Sequence, residues 1–231
     1  MNTETTCKLI ALTGGSGAGK TWLADRLCRE FGDEAMPLSL DDFYRDLSHL
    51  NASEREKTNF DHPDAIDWPL FEDVLRKLKN GVTVSAPHYD FVSHTRLTEW
   101  ESRTPAPLIV VEGLWLLWHP PVRQLFDLRV FLDCVQSLRW QRREARDLEE
   151  RGRTPDSIRK QFWNVVAPMH DRFVEEQKAW ADVLIEQSIT QTEFGRLAAA
   201  IRALRTGPLP TPSEDNNSRI TTPPLATLQT L

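Results

Sequence analysis

Residues 14–21 read Gly14-Gly15-Ser16-Gly17-Ala18-Gly19-Lys20-Thr21, which satisfies the pattern G-x-x-x-x-G-K-[ST]. An apolar run, Lys8 to Thr13, leads straight into it, and an amphipathic helical pattern, Lys20 to Phe31, follows. Strand, glycine-rich loop and helix in that order aim backbone N–H groups and the positive end of a helix at one spot, a cradle for phosphate oxygens. Lys20 is expected to bridge the β- and γ-phosphates of a triphosphate, and Thr21 to ligate Mg²⁺. A glycine-rich turn before an ordinary helix is the plainer reading, but it explains neither the Lys-Thr pair nor the preceding strand.

Further short aliphatic runs, Met36 to Leu40, Leu108 to Val111, Leu128 to Leu132 and Asp182 to Ile185, alternate with helical patterns. Helices are expected over Pro69 to Asn80, Leu138 to Glu150, from Pro155 onward, and over Thr190 to Arg205. This alternation predicts an α/β P-loop NTPase fold, a parallel sheet flanked by helices. Between Val82 and Trp100 the pattern turns alternating and aromatic, which predicts a β-hairpin insertion. At 231 residues, 40% hydrophobic and 27% charged, the chain suits one catalytic domain over residues 1–206, with a Pro-rich disordered tail over 207–231.

The net charge of −6 gives no general attraction to nucleic acid or anionic membrane. The longest apolar stretch, Leu108 to Trp118, is broken by Glu112 and Gly113 and falls short of the roughly 20 residues of a membrane span. Cys7, Cys28 and Cys134 are odd in number and far apart, so a reducing cytosol is the expected setting.

Several acids fall where a sheet should present them. Asp41 follows the second strand, at the edge where a carboxylate can face a γ-phosphate and take or orient a hydroxyl proton; its neighbour Asp42 competes for that role, and both could simply cap a turn. Glu112 ends the strand Leu108-Ile109-Val110-Val111 and can reach the metal's water shell, or cap the next helix. Phe60 and Phe91 offer apolar faces and Tyr89 and His94 polar tips for a ring-shaped ligand, although such residues serve equally as hairpin core. Arg139, Arg143 and Arg146 recur at i, i+4 and i+7. Eight basic and five acidic residues between Arg139 and Lys160 make this stretch locally positive, a lid able to clamp transferring phosphate. The alternative is a solvated helix laced by pairs such as Arg143 with Asp147, and that reading is preferred for Arg139 and Arg142.

Taken in order, the P-loop, Leu38 to Tyr44, Asn59 to Ala65, Pro87 to Arg96, Glu112-Gly113, Arg142-Arg143, Arg146-Asp147, Glu150 to Arg153 and Ala181 to Val183 resemble the uridine/cytidine kinases of the uridine kinase and phosphoribulokinase group. The resemblance spans Leu9 to about Ile185. It implies transfer of the γ-phosphate of ATP or GTP, with Mg²⁺, to the 5′-hydroxyl of uridine or cytidine. It implies that Asp41 is the catalytic aspartate, acting as base, that Asp61 holds the vicinal ribose hydroxyls, and that Tyr44 and His62-Pro63 are supports. Arg143 is then expected near the ribose, Arg146, Arg151 and Arg153 near the triphosphate, and Gln161 at a further polar position of the site. Many relatives assemble as tetramers, so a homo-oligomer is also implied.

Overall fold

The computed structural model describes residues 7–55, 58–149, 152–186 and 188–206; Arg151 and the tail expected over 207–231 lie outside them. In chain order the elements are β1 (Lys8–Gly14), α1 (Lys20–Phe31), β2 (Ala35–Ser39), α2 (Ala52–Arg55), α3 (Trp68–Lys79), β3 (Val84–Ala86), β4 (Tyr89–Asp90) and β5 (Thr95–Arg96). They continue with β6 (Glu101–Arg103), β7 (Leu108–Gly113), α4 (Pro120–Arg123), β8 (Leu128–Asp133), α5 (Gln136–Glu149), α6 (Pro155–Gln161), α7 (Ala167–Met169), β9 (Val183–Glu186) and α8 (Gln191–Thr206).

Five strands form one parallel sheet in the order β2-β7-β1-β8-β9. The central strands β1 and β7 read as nearly unbroken apolar runs because both faces are covered. In β1, Leu9 and Ala11 enter one core with Ile109, Val111 and Phe131, while Ile10 and Leu12 enter the other with Leu108, Val110 and Val130. Each fully buried aliphatic side chain of this kind contributes about 1.5 to 3 kcal/mol. Leu23, Ala24, Leu27 and Phe31 of α1 and Phe194, Leu197, Ala198, Ile201 and Leu204 of α8 cover the second face. Arg202 and Arg205 of α8 pair with Glu30 and Glu34, tying the last helix to the first helical unit.

All five expected sheet strands are present, and the expected helices differ by one or two residues at their ends. α3 starts at Trp68 because Asp67 caps it, its carboxylate accepting from Leu70 N at 3.2 Å, with Pro69 in the first turn. The insertion is two short antiparallel pairs, β3 with β6 and, further out, β4 with β5. Arg96 anchors the outer pair by donating to Tyr44 O at 2.8 Å and to Asp67 Oδ2 at 3.1 Å. The helix begun at Pro155 runs on through π turns at Phe162–Val166 and His170–Val174, on either side of Pro168, which has no N–H to give. No helix among the described residues is long and apolar enough to cross a membrane.

Candidate active site

The C-terminal edge of the sheet carries the site, where the chain leaving β1 crosses to β2 on one side and the chain leaving β7 crosses to β8 on the other. The loop after β1 curls tightly: Ala18 N donates to Gly15 O at 3.0 Å, and Gly17 has φ +81° with the Arg139 carbonyl packed where a side chain would stand. Only glycine fits there. Lys20, at the start of α1, is buried and folds back to donate to Gly15 O at 3.1 Å. Burial pulls its pKa down, while the carboxylates of Glu112 and Asp41 favour its charge.

Glu112, the penultimate residue of β7, is also buried; it accepts from Ser39 Oγ at 2.8 Å and from the Thr21 hydroxyl. Burial, then the nearby Asp41, push its pKa up. Gly113 is required next to it because a Cβ would collide with the Leu40 side chain. Thr21 and Glu112 thus present hard oxygens side by side, the donor type that Mg²⁺ takes beside phosphate.

The structure separates the two adjacent acids that follow β2. Asp41 turns into a cleft of about 720 Å³ together with Ser16, Lys20, Thr21 and Glu112. Asp42 faces the insertion instead, where it accepts from Tyr89 N at 3.3 Å and pairs with His88 Nδ1 at 3.1 Å. His88 therefore has a structural partner.

The far wall of the same cleft is an aromatic box of Tyr44, Phe60, Tyr89, Phe91 and His94, with Asp61 beside it. Tyr44 meets Tyr89 at 5.1 Å and Phe60 at 5.8 Å, and Tyr89 meets Phe91 at 5.5 Å. His94 stacks on Phe60 at 4.6 Å with 15° between the rings. The stack needs an unusual backbone: His94 has φ +55°, in the left-handed region, at the β4–β5 turn. That turn is closed by the Asp90 carboxylate, which accepts from Val92 N at 3.0 Å and Ser93 N at 3.1 Å. Tyr44, expected only as a support, is both support and wall: its hydroxyl donates to Phe60 O at 3.1 Å. His62 does act as a support, its Nδ1 accepting from Asp64 N at 3.1 Å.

Arg143, Arg146, Arg153 and Gln161 close the cleft from the lid side. Arg143 donates to Ser16 Oγ at 2.8 Å and to Gln161 Oε1 at 3.2 Å, joining lid to P-loop. Two arginines contradict their expected place on a solvated helix face. Arg139 is 3% exposed, lying against the P-loop with its Nε donating to Cys134 O at 3.0 Å. Arg142 lies along the loop carbonyls, 3.4 Å from Ala18 O, and donates to Ser188 Oγ at 3.0 Å. Helical spacing alone missed this because α5 packs against the P-loop, which buries Arg139 and Arg143 and partly covers Arg142.

Residues 9–193 match the model of the Phosphoribulokinase / Uridine kinase family. The chain belongs to this family. A uridine kinase of Clostridium perfringens is 40% identical over 179 residues, 77% of this chain and 86% of the relative. One from Deinococcus deserti is 39% identical over 196 residues, 84% of this chain and 95% of the relative. Among solved structures, phosphoribulokinase from Rhodobacter spheroides superposes with a TM-score of 0.58 at 18% identity, over 79% of this chain and 70% of that one, a likeness of fold.

This family member carries a second recess that the sequence reading did not find. It is mostly apolar, lies outside the P-loop against Ala18, Gly19 and Leu23, and is rimmed by Trp22, Leu132, Arg142, Ile185 and Ile189. Trp22 is half exposed, with the Arg26 guanidinium 5.2 Å from its ring centre. A tryptophan immediately after the Lys-Thr pair was the available signal. That its side chain walls this recess is not a property of spacing.

Proposed function

We propose that this chain is a uridine kinase, transferring the γ-phosphate of ATP or GTP to the 5′-hydroxyl of uridine or cytidine to give UMP or CMP. The observation that carries this reading is a single cleft with phosphate-binding groups at one end, an aromatic box and Asp61 at the other, and Asp41 at the junction. In this reading the nucleoside base lies in the aromatic box, and Asp61 accepts hydrogen bonds from the two ribose hydroxyls. That leaves the 5′-hydroxyl pointing toward Lys20 and Asp41. Asp41 takes the proton as the hydroxyl oxygen attacks the γ-phosphorus in line, and the β-phosphate oxygen departs with ADP or GDP.

Charge on the moving phosphoryl group is met by Lys20 from the P-loop and by Arg146 and Arg153 from the lid, with Arg143 at the ribose end. Thr21 and Glu112 would hold Mg²⁺, which would supply neutralising charge for the triphosphate. Closing the lid keeps water from competing as acceptor. The apolar recess beside Trp22 and Ile189 suits the donor base. The proposal extends to a cytoplasmic homo-oligomer acting on small molecules, with no nucleic-acid or membrane partner; sedimentation of the full chain reads the assembly.

The decisive experiment is a panel of hydroxyl acceptors with γ-labelled ATP. Label entering uridine and cytidine is the expected result; label entering a sugar phosphate or vitamin while both nucleosides stay unmodified removes the assignment.

A further inference from the structure

We infer that Asp147 is a positioning residue that gathers three arginines into the transfer cleft. Asp147 is 0% exposed and does not itself line the cleft, whereas Arg143, Arg146 and Arg153 all do. Its two oxygens divide the work. Oδ1 accepts from Arg146 Nε at 3.0 Å and Nη2 at 2.8 Å, while Oδ2 faces Arg143 Nε at 3.4 Å and Arg153 Nη1 at 3.5 Å.

Backbone geometry reinforces the gathering. Gly152, at φ +58°, turns the chain after α5, and Arg153 N then donates to the Asp147 carbonyl at 3.2 Å. Asp147 therefore holds Arg153 by main chain and side chain together. Gln161 Oε1 accepts from Arg143 Nη2 at 3.2 Å and from Arg153 Nη1, the nitrogen that also faces Asp147, so it ties the two arginines to each other.

Three guanidinium groups this close repel one another, and without a central anion they would spread toward solvent. A buried carboxylate is a poor device for stability alone, because apolar side chains of similar volume generally serve as well or better. What it supplies is geometry: Arg146 is hydrogen-bonded to Oδ1 and Arg143 and Arg153 stand at ion-pair distance from Oδ2, which keeps the three guanidinium groups together at the cleft wall. Arg143 directs Nη1 to Ser16 of the P-loop at 2.8 Å in this way. Asp147 acts on the reaction through these arginines and touches no reacting atom.

The inference rests on the kinase reading, and the acceptor panel tests that reading separately with wild-type enzyme. With the acceptor the panel identifies, folded Asp147→Asn should lose about 100-fold in kcat, the scale of one lost charge-stabilising donor, while KM for ATP stays within about threefold because Lys20 and the main chain of the P-loop keep their own contacts to Gly15 O. Asp147→Glu, which keeps the charge on a longer arm, should keep its melting temperature yet lose at least about tenfold in kcat through misplacement. In a cycle with Arg146→Gln, the double variant should fall at least about tenfold short of the product of the single losses. If Asp147→Asn does not fold, Asp147→Glu and its cycle with Arg146→Gln decide. A folded variant with kcat within about threefold of wild type, or single losses that multiply in the cycle, overturns the inference.

Discussion

At the scale of single residues, two adjacent acids face different surroundings. Asp41 shares the cleft with Lys20, whereas Asp42 is bound to Tyr89 N and His88. Asp41→Asn should therefore lower kcat by about 10³-fold with ATP affinity nearly unchanged, as steady-state rates and nucleotide titration would report. Asp42→Asn should cost about 1 kcal/mol of stability by weakening the hold on Tyr89 and leave kcat within a few-fold. Near-normal turnover in Asp41→Asn, with collapse in Asp42→Asn, would exchange the two roles. The sequence placed both acids at the sheet edge and could go no further, since their choice of direction depends on an insertion 47 positions away.

Elements show where local patterns suffice and where they fail. The central sheet strands were legible because burial on both faces leaves a nearly unbroken aliphatic run. The insertion was legible as a hairpin but not as two separate pairs, because a short strand facing irregular neighbours has too little pattern to mark its ends. Its outer pair hangs on Arg96, whose guanidinium reaches Tyr44 O and Asp67. Arg96→Ala should let the aromatic box drift, raising KM for the nucleoside about tenfold while KM for ATP stays put, a split visible in two substrate titrations. At the other end of the cleft, Gly113→Ala forces a methyl group against Leu40 at the tip of β7. A stability loss of about 1 to 3 kcal/mol in urea unfolding is the expected outcome.

Across the whole molecule, the lid-side helices, the sheet and the P-loop meet around His170. It is buried, its Nε2 is 3.4 Å from Glu175 Oε2, and Arg139, Asp171, Lys178 and Asp133 lie about it. Burial, then the Arg139 charge, hold its pKa down at about 4. In the unfolded chain a histidine titrates near 6.5, so that state takes up the proton first. This contribution to stability is whole above about pH 6.5 and is lost as pH falls toward 4, up to about 3 kcal/mol. His170→Gln should be less acid-sensitive than wild type across that window in parallel urea titrations. Equal slopes for the two proteins would show that His170 carries no such linkage.

What the chain's order of residues determined by itself is whatever repeats locally: the P-loop, the apolar strands, the helix faces, and the set of residues that resembles a family. What the tertiary structure decided is how residues far apart in sequence meet. It turned Asp41 and Asp42 in different directions, drove Arg139 behind the P-loop, opened the recess at Trp22, and brought Arg143, Arg146 and Arg153 around Asp147. The physical reason is the same throughout. A side chain's propensity and period follow from its neighbours in the chain, but the partner of a charge and the wall of a cavity are supplied by packing between elements, which no local pattern encodes.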